Sequence, residues 1–406
     1  MHKYIIKFTV TTAMFSMLAI TNGAIAAPTP PQVSGLVQIG KGVFVTAINE
    51  VADEIYAPHA NSSTAQLYII DGSTKKVKET IDLGGAVNGV AYNKKTDQII
   101  VSYIVDGKVA VIDRKTKTFV GTPAAVGYHP AALAIDESTN TAYISNMHSG
   151  TVSVFDIASG KVKKNIVIGT GAPTPAGCNP WDNNNPCTTL GSSPGDSVIN
   201  QKTHRLYVIS YTEKSVTVIN TLTNKIVGSR IPTGHVPNAI AVNGKTNRIY
   251  VDNWQEGTVS VIDGKTNAVI TKVPVGSGLQ TPEGCYEAGK LDACESWGSM
   301  PIGITVNEQE NLIYVSNSND GTVSVINGKT NKEMGKPVAV TSGELIPGGC
   351  ENFGACTRGS APHDIHYNPN TGTLYVVSLG DGWLTMLDAH GKEVCTPMED
   401  MPDMCM

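Results

Sequence analysis

The sequence predicts an all-β protein, a seven-bladed β-propeller made of four-stranded antiparallel blades. Three observations support this prediction. One segment recurs seven times, its apolar and polar residues alternate as they do in strands, and no helix-length stretch shows a period of 3.6 residues. The chain has 406 residues, too many for one ordinary core of ~100–150 residues, so a repeat or several domains are required.

The recurring segment is clearest between Ile249 and Gly276. One position, usually tyrosine, marks its seven copies: Tyr56, Ile100, Tyr143, Tyr207, Tyr250, Tyr314 and Tyr375. Successive copies lie 44, 43, 64, 43, 64 and 61 residues apart. Four-stranded units of about 40–45 residues close radially into a propeller, which leaves only short edges exposed. Three of the gaps therefore contain an insertion.

Each copy contains four short runs rich in Val, Ile, Thr and Tyr. An Asp-Gly or Asn-Gly pair followed by Lys-Thr-Asn, as at Asp263–Asn267, marks the turn between the third and fourth strands. Five innermost strands are expected to begin at a proline, a residue tolerated at the start of a strand. These prolines are Pro130, Pro194, Pro237, Pro301 and Pro362.

The N-terminal segment has the composition of a signal peptide. Lys3 and Lys7 precede the apolar run Phe8–Ile20, and Ala24–Ala26 supplies the small residues of a cleavage site. Residues 1–26 are therefore expected to be removed on export. No other stretch approaches the ~18 apolar residues of a membrane span. The sequence predicts a periplasmic or secreted protein.

The propeller is expected to cover residues 35–390, followed by a Cys- and Met-rich tail at 391–406. Each insertion contains one cysteine pair, and the tail contains a fourth. Disulfides form in oxidising compartments, so local bridging within each pair is the favoured interpretation, although eight cysteines allow 105 connectivities. The pairs are Cys178 with Cys187, Cys285 with Cys294, Cys350 with Cys356, and Cys395 with Cys405.

The repeated pattern Tyr-Val-x-Asn, then Gly-Thr-Val-Ser-Val-Ile-Asp, then Thr-Asn and Val-Gly resembles the YVTN-repeat β-propellers, found in exported and surface-layer proteins. The resemblance covers roughly residues 43–390 and implies the propeller fold. It implies little about function, because propellers serve as binding proteins, scaffolds and enzymes alike.

Two strands are candidates to complete the last blade. The segment Leu36–Gly40 is similar to the ends of fourth strands elsewhere, such as Ile166–Gly169, and is the favoured partner of Leu384–Asp388. The alternative is Lys392–Pro397, which follows Leu384–Asp388 directly along the chain.

Antiparallel order places the blade-joining loops and the turns between strands two and three on one side, here called the top face. The three insertions, at about 170–192, 277–299 and 341–360, belong to this face. Exposed aromatic and imidazole groups indicate a surface for a protein, glycan or small ligand, unless each packs down its own loop. The candidates are Trp181, Trp254, Trp297, Trp383, His129, His148, His235 and His363.

The channel has its own candidates. In each innermost strand, the side chain four residues after the expected start is small, as at Ala47. The exception is His366, in the last blade. Asp364 lies two residues before His366, and Asp196 occupies the matching place in blade four. These three groups have the chemistry to hold a divalent cation or transfer a proton, or they are solvated and hydrogen-bonded to one another.

The tail supplies a second candidate metal set. Met398, Met401 and Met404 recur every three residues between Cys395 and Cys405, and thioethers and thiols are ligands for Cu(I). Local disulfide formation would consume both thiols. The candidate cofactors are therefore a divalent cation in the channel or copper at the tail.

The net charge of −5 excludes a generic polyanion binder, so nucleic acid is not an expected partner. Phosphate-binding loops, nucleophile elbows and haem-attachment motifs are absent from the sequence. The favoured function is a non-enzymatic exported binding or scaffold protein, with no catalytic residue assigned. The alternatives are a cation-dependent hydrolase or lactonase using Asp196, Asp364 and His366, and a periplasmic copper-handling or redox accessory subunit.

Overall fold

The computed structural model describes residues 30–40, 42–59, 65–171, 173, 191–280, 298–340, 361–379 and 382–389. Their strands form seven antiparallel sheets arranged as the blades of a propeller. This confirms the predicted fold class. Within these ranges, no helix has the length and hydrophobicity that a membrane span requires. All eight cysteines lie outside them, so the disulfide pairs stay a prediction.

The first four blades follow one another along the chain. Blade 1 contains β2 (Ala47–Asn49), β3 (Glu54–Pro58), β4 (Gln66–Asp71) and β5 (Lys76–Asp82). Blade 2 contains β6 (Val87–Asn93), β7 (Gln98–Tyr103), β8 (Lys108–Asp113), β9 (Thr118–Phe119) and β10 (Ala124–Ala125). Blade 3 contains β11 (Pro130–Asp136), β12 (Thr141–Asn146), β13 (Thr151–Asp156) and β14 (Lys161–Val167). Blade 4 contains β15 (Pro194–Asn200), β16 (Arg205–Ser210), β17 (Ser215–Asn220), β18 (Lys225–Ile226) and β19 (Ile231–Pro232).

The remaining blades complete the ring. Blade 5 contains β20 (Pro237–Asn243), β21 (Arg248–Asn253), β22 (Thr258–Asp263) and β23 (Ala268–Pro274). Blade 6 contains β24 (Pro301–Asn307), β25 (Leu312–Asn317), β26 (Thr322–Asn327), β27 (Lys332–Glu333) and β28 (Val338–Ala339). Blade 7 contains β29 (Pro362–Asn368), β30 (Thr373–Ser378) and β31 (Trp383–Asp388), with β1 (Gln32–Gln38) as its outermost strand.

The N-terminal strand closes the ring, as favoured from the sequence. Strand β1 pairs antiparallel with β31, and Val37 lies opposite Leu384. Its end packs into the core, where Val37 and Ile39 are buried. The five proline starts are confirmed as well, since each of those prolines is the first residue of an innermost strand.

The core lies between neighbouring blades. In the described residues it consists of seven hydrophobic clusters, one at each blade boundary, including the boundary between blade 7 and blade 1. The tyrosine position of the repeat is the centre of this packing, because its seven residues are at most 1% exposed. Several of the phenols bond to polar groups: Tyr375 donates to Asp53 Oδ1 at 2.6 Å, across the ring closure.

The joining loops are tied to the top face by one recurring contact. The acidic residue of a turn between strands two and three accepts the N–H of the loop that enters the same blade. Glu213 accepts from Thr170 at 2.8 Å, and Glu256 accepts from His235 at 2.9 Å. Next to the second insertion Asp320 accepts the N–H of Ser277 at 2.6 Å, and next to the third Gly321 O accepts the N–H of Val340 at 3.0 Å. The described residues that flank the three insertions therefore lie on this face, as predicted.

The last described residue, Ala389, lies on the opposite side of the propeller. The N–H of Ala389, just after β31, bonds to Gly372 O in the turn between β29 and β30 at 2.9 Å. This turn belongs to the face opposite the insertions, here called the bottom face. The described part of the chain therefore ends at the bottom face, just after β31, the third strand of blade 7.

Candidate binding site in the central channel

The seven innermost strands enclose a cavity of about 940 Å³ along the propeller axis. Residues of every blade line it. Its top end includes Phe44 and Asn238, and its bottom end includes Glu50 and Lys94. The small side chains predicted for the axis keep the channel open, because bulkier groups at Ala47 and its equivalents would fill it. His366 also lines the wall, so the exception seen in the sequence lies at the cavity.

Asp364 and His366 join the last blade to the first at the axis. Oδ2 of Asp364 accepts hydrogen bonds from the N–H of Thr46 at 2.6 Å and from its hydroxyl at 2.8 Å. The Nε2–H of His366 lies 2.9 Å from the carbonyl oxygen of Thr46 and 3.2 Å from Oδ2 of Asp364. We call these three residues the clasp.

The clasp is an ion pair with opposed pKa shifts. Burial alone would raise the pKa of Asp364, but the His366 charge and the hydrogen bonds from His366 and Thr46 outweigh it and lower the pKa to about 2. Burial likewise disfavours the charged imidazole, yet the adjacent carboxylate raises the pKa of His366. A carboxylate that is held ionised and fully hydrogen-bonded is a weak general base.

Asp196 occupies the corresponding place in blade 4 and makes the corresponding backbone bonds. Its Oδ1 accepts from the N–H of Ser197 at 2.7 Å, and its Oδ2 accepts from the N–H of Ile240 in the next blade at 3.1 Å. Among the described residues no Lys, Arg or His forms an ion pair with it. Burial therefore dominates, only partly offset by these two bonds, and raises the pKa of Asp196 to about 7. Across the channel, the charge of Asp364 adds to this shift and that of His366 opposes it.

A second carboxyl group, which the sequence analysis missed, lies at the same blade boundary. Asp252 is fully buried, and its Oδ1 accepts from the N–H groups of Asn238 at 3.1 Å and Ala239 at 2.9 Å. Burial raises its pKa well above the usual value, and the nearby Asp196 charge adds to the shift. An available signal was an aspartate inside a strand at a place where other copies have serine, as at Ser145.

Tyr211 lies beside both carboxyl groups and also lines the cavity. Burial raises the pKa of its phenol, and the charges of Asp196 and Asp252 raise it further. The phenol is thus neutral over the whole physiological range. This side of the channel therefore has two carboxyl groups and no cation among the described residues.

The bottom end of the channel is balanced in charge. Lys94 lies 3.3 Å from Glu137, and it also lowers the pKa of Glu50, which burial raises overall. Glu308 accepts the N–H of Gly244 at 2.5 Å, and Lys245 lines the cavity nearby. The acidic groups at this end have basic neighbours, unlike Asp196.

The histidines predicted for the top face are in three separate places. His129 and His148 stack with ring centroids 4.0 Å apart and planes at 9°. Burial lowers the pKa of both, that of His129 to about 4. His235 contacts Lys214 at 3.0 Å, and His363 lies in the channel wall against Phe44, at 6.1 Å between ring centroids.

These histidines do not combine into one metal site. Nitrogen lone pairs lie in the ring plane, so two stacked parallel rings cannot point them at one ion. In the part of the chain that the structure describes, no group of three or more His, Cys, Asp or Glu side chains is placed to hold a metal ion. Asp364 and His366 meet, but Asp196 lies three blades away in the ring. Cation binding by these three residues stays a prediction.

Of the four candidate tryptophans, the structure describes Trp254 and Trp383. Trp254 is only 6% exposed, so its ring is packed down, and its backbone N–H donates to the carbonyl of Val236 at 3.0 Å. Trp383 is the first residue of β31, opposite Gln38. Trp181 and Trp297 lie outside the described residues, as do Met398, Met401 and Met404. Exposed apolar groups of the top face that the sequence analysis did not select are Val105, Tyr128 and Leu279.

Comparison with models of known protein families found no match, and comparison with curated proteins found no similar protein. The seven-bladed fold is therefore established by the structure, and membership of the YVTN-repeat family is not.

Proposed function

We propose that this chain is an exported, non-enzymatic propeller of the YVTN-repeat type that binds a small ligand in the channel opening at its top face. The observation that carries this proposal is the cavity of about 940 Å³, lined by all seven blades. Such a volume is typical of small-molecule sites, which combine apolar walls with a few polar groups. The signal peptide expected at residues 1–26 supports export to the periplasm or the medium.

The clasp favours binding over catalysis. Asp364 and His366 are bonded to Thr46 across the blade closure, so both have a structural task that leaves little freedom for proton transfer. The hydrolase alternative needs these two groups to act on a substrate or a cation. Copper binding by the tail has no support from the described residues and stays a prediction.

The proposal is tested by blocking the channel. Thr305 lines the cavity at the blade position equivalent to Ala47, and Thr305→Trp would narrow the channel at this level. Purified mature protein would be screened by ligand-observed NMR against a mixed library of small metabolites, including amines, alcohols, acids and sugars. We expect hits whose signals are lost in Thr305→Trp.

The matched control is Val51→Trp, which adds the same side chain at an 86% exposed position on the bottom face. Circular dichroism would check that both variants fold. Hits that survive in folded Thr305→Trp, or a complete absence of hits with the wild type, would contradict binding in the channel.

A further inference from the structure

We propose that Asp196 is the anionic subsite for a ligand that carries a protonated amine or another organic ammonium group. The inference rests on the proposed function, since it names the chemical class of the channel ligand. From the sequence, Asp196 is expected to hold a cation, to transfer a proton, or to be solvated and hydrogen-bonded to other channel residues. The structure distinguishes it from Asp364, its equivalent in blade 7.

The two aspartates form a natural matched pair. Each accepts the N–H of the following residue and an N–H of the next blade. The difference lies in the neighbours. Two residues after Asp364 stands His366, which supplies a positive charge, whereas two residues after Asp196 stands Val198. In the next blade Thr46 donates a hydroxyl, whereas Ile240 occupies the corresponding place and has none.

Among the described residues Asp196 has no ion-pair partner of its own, since His366, whose charge reaches it across the channel, is paired with Asp364. Three successive N–H groups, at residues 238–240, are all directed at carboxyl oxygens, two at Asp252 and one at Asp196. Oδ2 of Asp252 is buried and has no hydrogen-bond partner among the described residues. A half-buried carboxylate that lacks a counter-charge either takes up a proton or attracts a cation. Asp196 faces the cavity, so the cation has a route to it.

An organic ammonium fits this wall better than a metal ion does. Calcium and related cations require six or more oxygen ligands, and no group of three acidic or imidazole side chains meets within the described ranges. A primary ammonium is satisfied by one carboxylate and a few neutral acceptors. The cavity has room for the organic part of such a ligand. Tyr211 and Met147 in the cavity wall supply an aromatic and a thioether surface on which that part can pack.

The experiment compares amines with alcohols of the same shape. Butylamine and benzylamine, each paired with butanol and benzyl alcohol, would be titrated into the mature protein by calorimetry and NMR up to millimolar concentration. We expect the wild type to prefer each amine over its alcohol. Asp196→Asn should weaken amine binding about ten- to a hundred-fold, the range of one charge-assisted hydrogen bond, and leave the alcohols unchanged.

A second variant tests the same subsite while the Asp196 side chain is kept. Val198→His would place an imidazole where blade 7 has His366, and it would neutralise Asp196 from within the protein. We expect amine binding to fall in this variant although the carboxylate remains. The control is Glu308→Gln, which changes a carboxylate of the same cavity at its charge-balanced bottom end and should leave amine binding unchanged.

The pH dependence provides an independent measurement. The ionisable groups around Asp196 are Tyr211, Asp252, Asp364 and His366. Because the pKa of Asp196 is about 7, an amine that binds below this pH must displace a proton. Calorimetry in buffers with different ionisation enthalpies should detect this release in the wild type and not in Asp196→Asn.

Each outcome decides a different point. Amines that bind no better than their alcohols, or that fail to bind at all, overturn the ammonium assignment. Equal amine affinity in folded Asp196→Asn overturns it too, as does tight calcium binding that requires Asp196. If alcohols or other neutral probes bind and are lost in Thr305→Trp but not in Asp196→Asn, channel binding stands and only the ammonium subsite fails.

Discussion

At the channel wall, the same residue type at the same blade position has two different roles. Asp364 is paired with His366 and holds blade 7 to blade 1, whereas Asp196 makes the same backbone bonds without an ion-pair partner among the described residues. The difference depends on one neighbour in the sequence, His366 or Val198, and one in the next blade, Thr46 or Ile240. A carboxylate in a propeller channel is therefore structural or available to a ligand according to what faces it.

The clasp is expected to stabilise the fold in a pH-dependent way. Removing the imidazole in His366→Ala leaves Asp364 without its counter-charge and should cost about 1–3 kcal/mol of unfolding free energy. The raised pKa of His366 means that its contribution is complete below its ordinary pKa of ~6.5 and is lost as pH rises through the raised value. The contribution of Asp364 is lost only as pH falls through about 2.

Thermal unfolding would measure this effect. The difference in midpoint between wild type and His366→Ala should be largest near pH 5 and smaller near pH 9. His235→Ala, which removes a top-face histidine outside the channel, is the control. An equal difference at both pH values would mean that the imidazole acts through packing and not through its charge.

At the scale of strands, the blades differ in their inner and outer edges. Blades 1, 3 and 5 have continuous outermost strands, whereas those of blades 2, 4 and 6 are broken in two. A glycine with positive φ lies at each break: Gly121, Gly228 and Gly335. Interrupted edges pair poorly with other chains, which limits aggregation.

On the inner edge, Gly89 and Gly303 allow a close approach to the next blade.

The inner glycines predict a packing effect. A Cβ at Gly303 would clash with the carbonyl oxygen of His363 and with Ser316. Gly303→Ala should therefore lower the unfolding free energy by about 1–3 kcal/mol, measured by chemical denaturation. Ala132→Gly, at the equivalent place in blade 3, is the matched control and should cost at most about 1 kcal/mol. A gain in stability for Gly303→Ala would show that the neighbouring blade can move away.

At the scale of the whole molecule, the ring is closed at three radii. Strand β1 completes the outer edge of blade 7, and the clasp joins blades 7 and 1 at the axis. Between these two radii, Asp53 accepts hydrogen bonds from Asn368 and Tyr375. Each contact links residues more than 300 positions apart in the chain. Closure therefore forms only when both ends of the propeller meet.

Deleting the closing strand should destabilise the entire ring. Removal of Gln32–Gln38 from the mature chain would expose the edge of β31 and the apolar groups that Val37 covers. We expect the thermal midpoint to fall by about 10 °C, equivalent to several kcal/mol in a protein of this size. Truncation after Ala389, which removes no described strand, is the control. Equal midpoints for the two truncations would contradict a closing role for β1.

The sequence by itself determined the number of blades, their strand order and the starts of five innermost strands. Each blade repeats the same local alternation and the same turn residues, and these depend on neighbours only a few positions away. It also indicated β1 as the closing strand, because Leu36–Gly40 is similar to other fourth strands.

Only the tertiary structure decided what the channel residues do. The charge state of Asp196 depends on burial and on Ile240, Asp364 and His366 from other blades. That of Asp364 depends in part on Thr46, about 320 residues away. Likewise, the sequence left open whether Trp254 is exposed or packed down, and the structure buries it. Burial and electrostatic interactions arise between groups that folding brings together, so the repeat pattern contains no information about them.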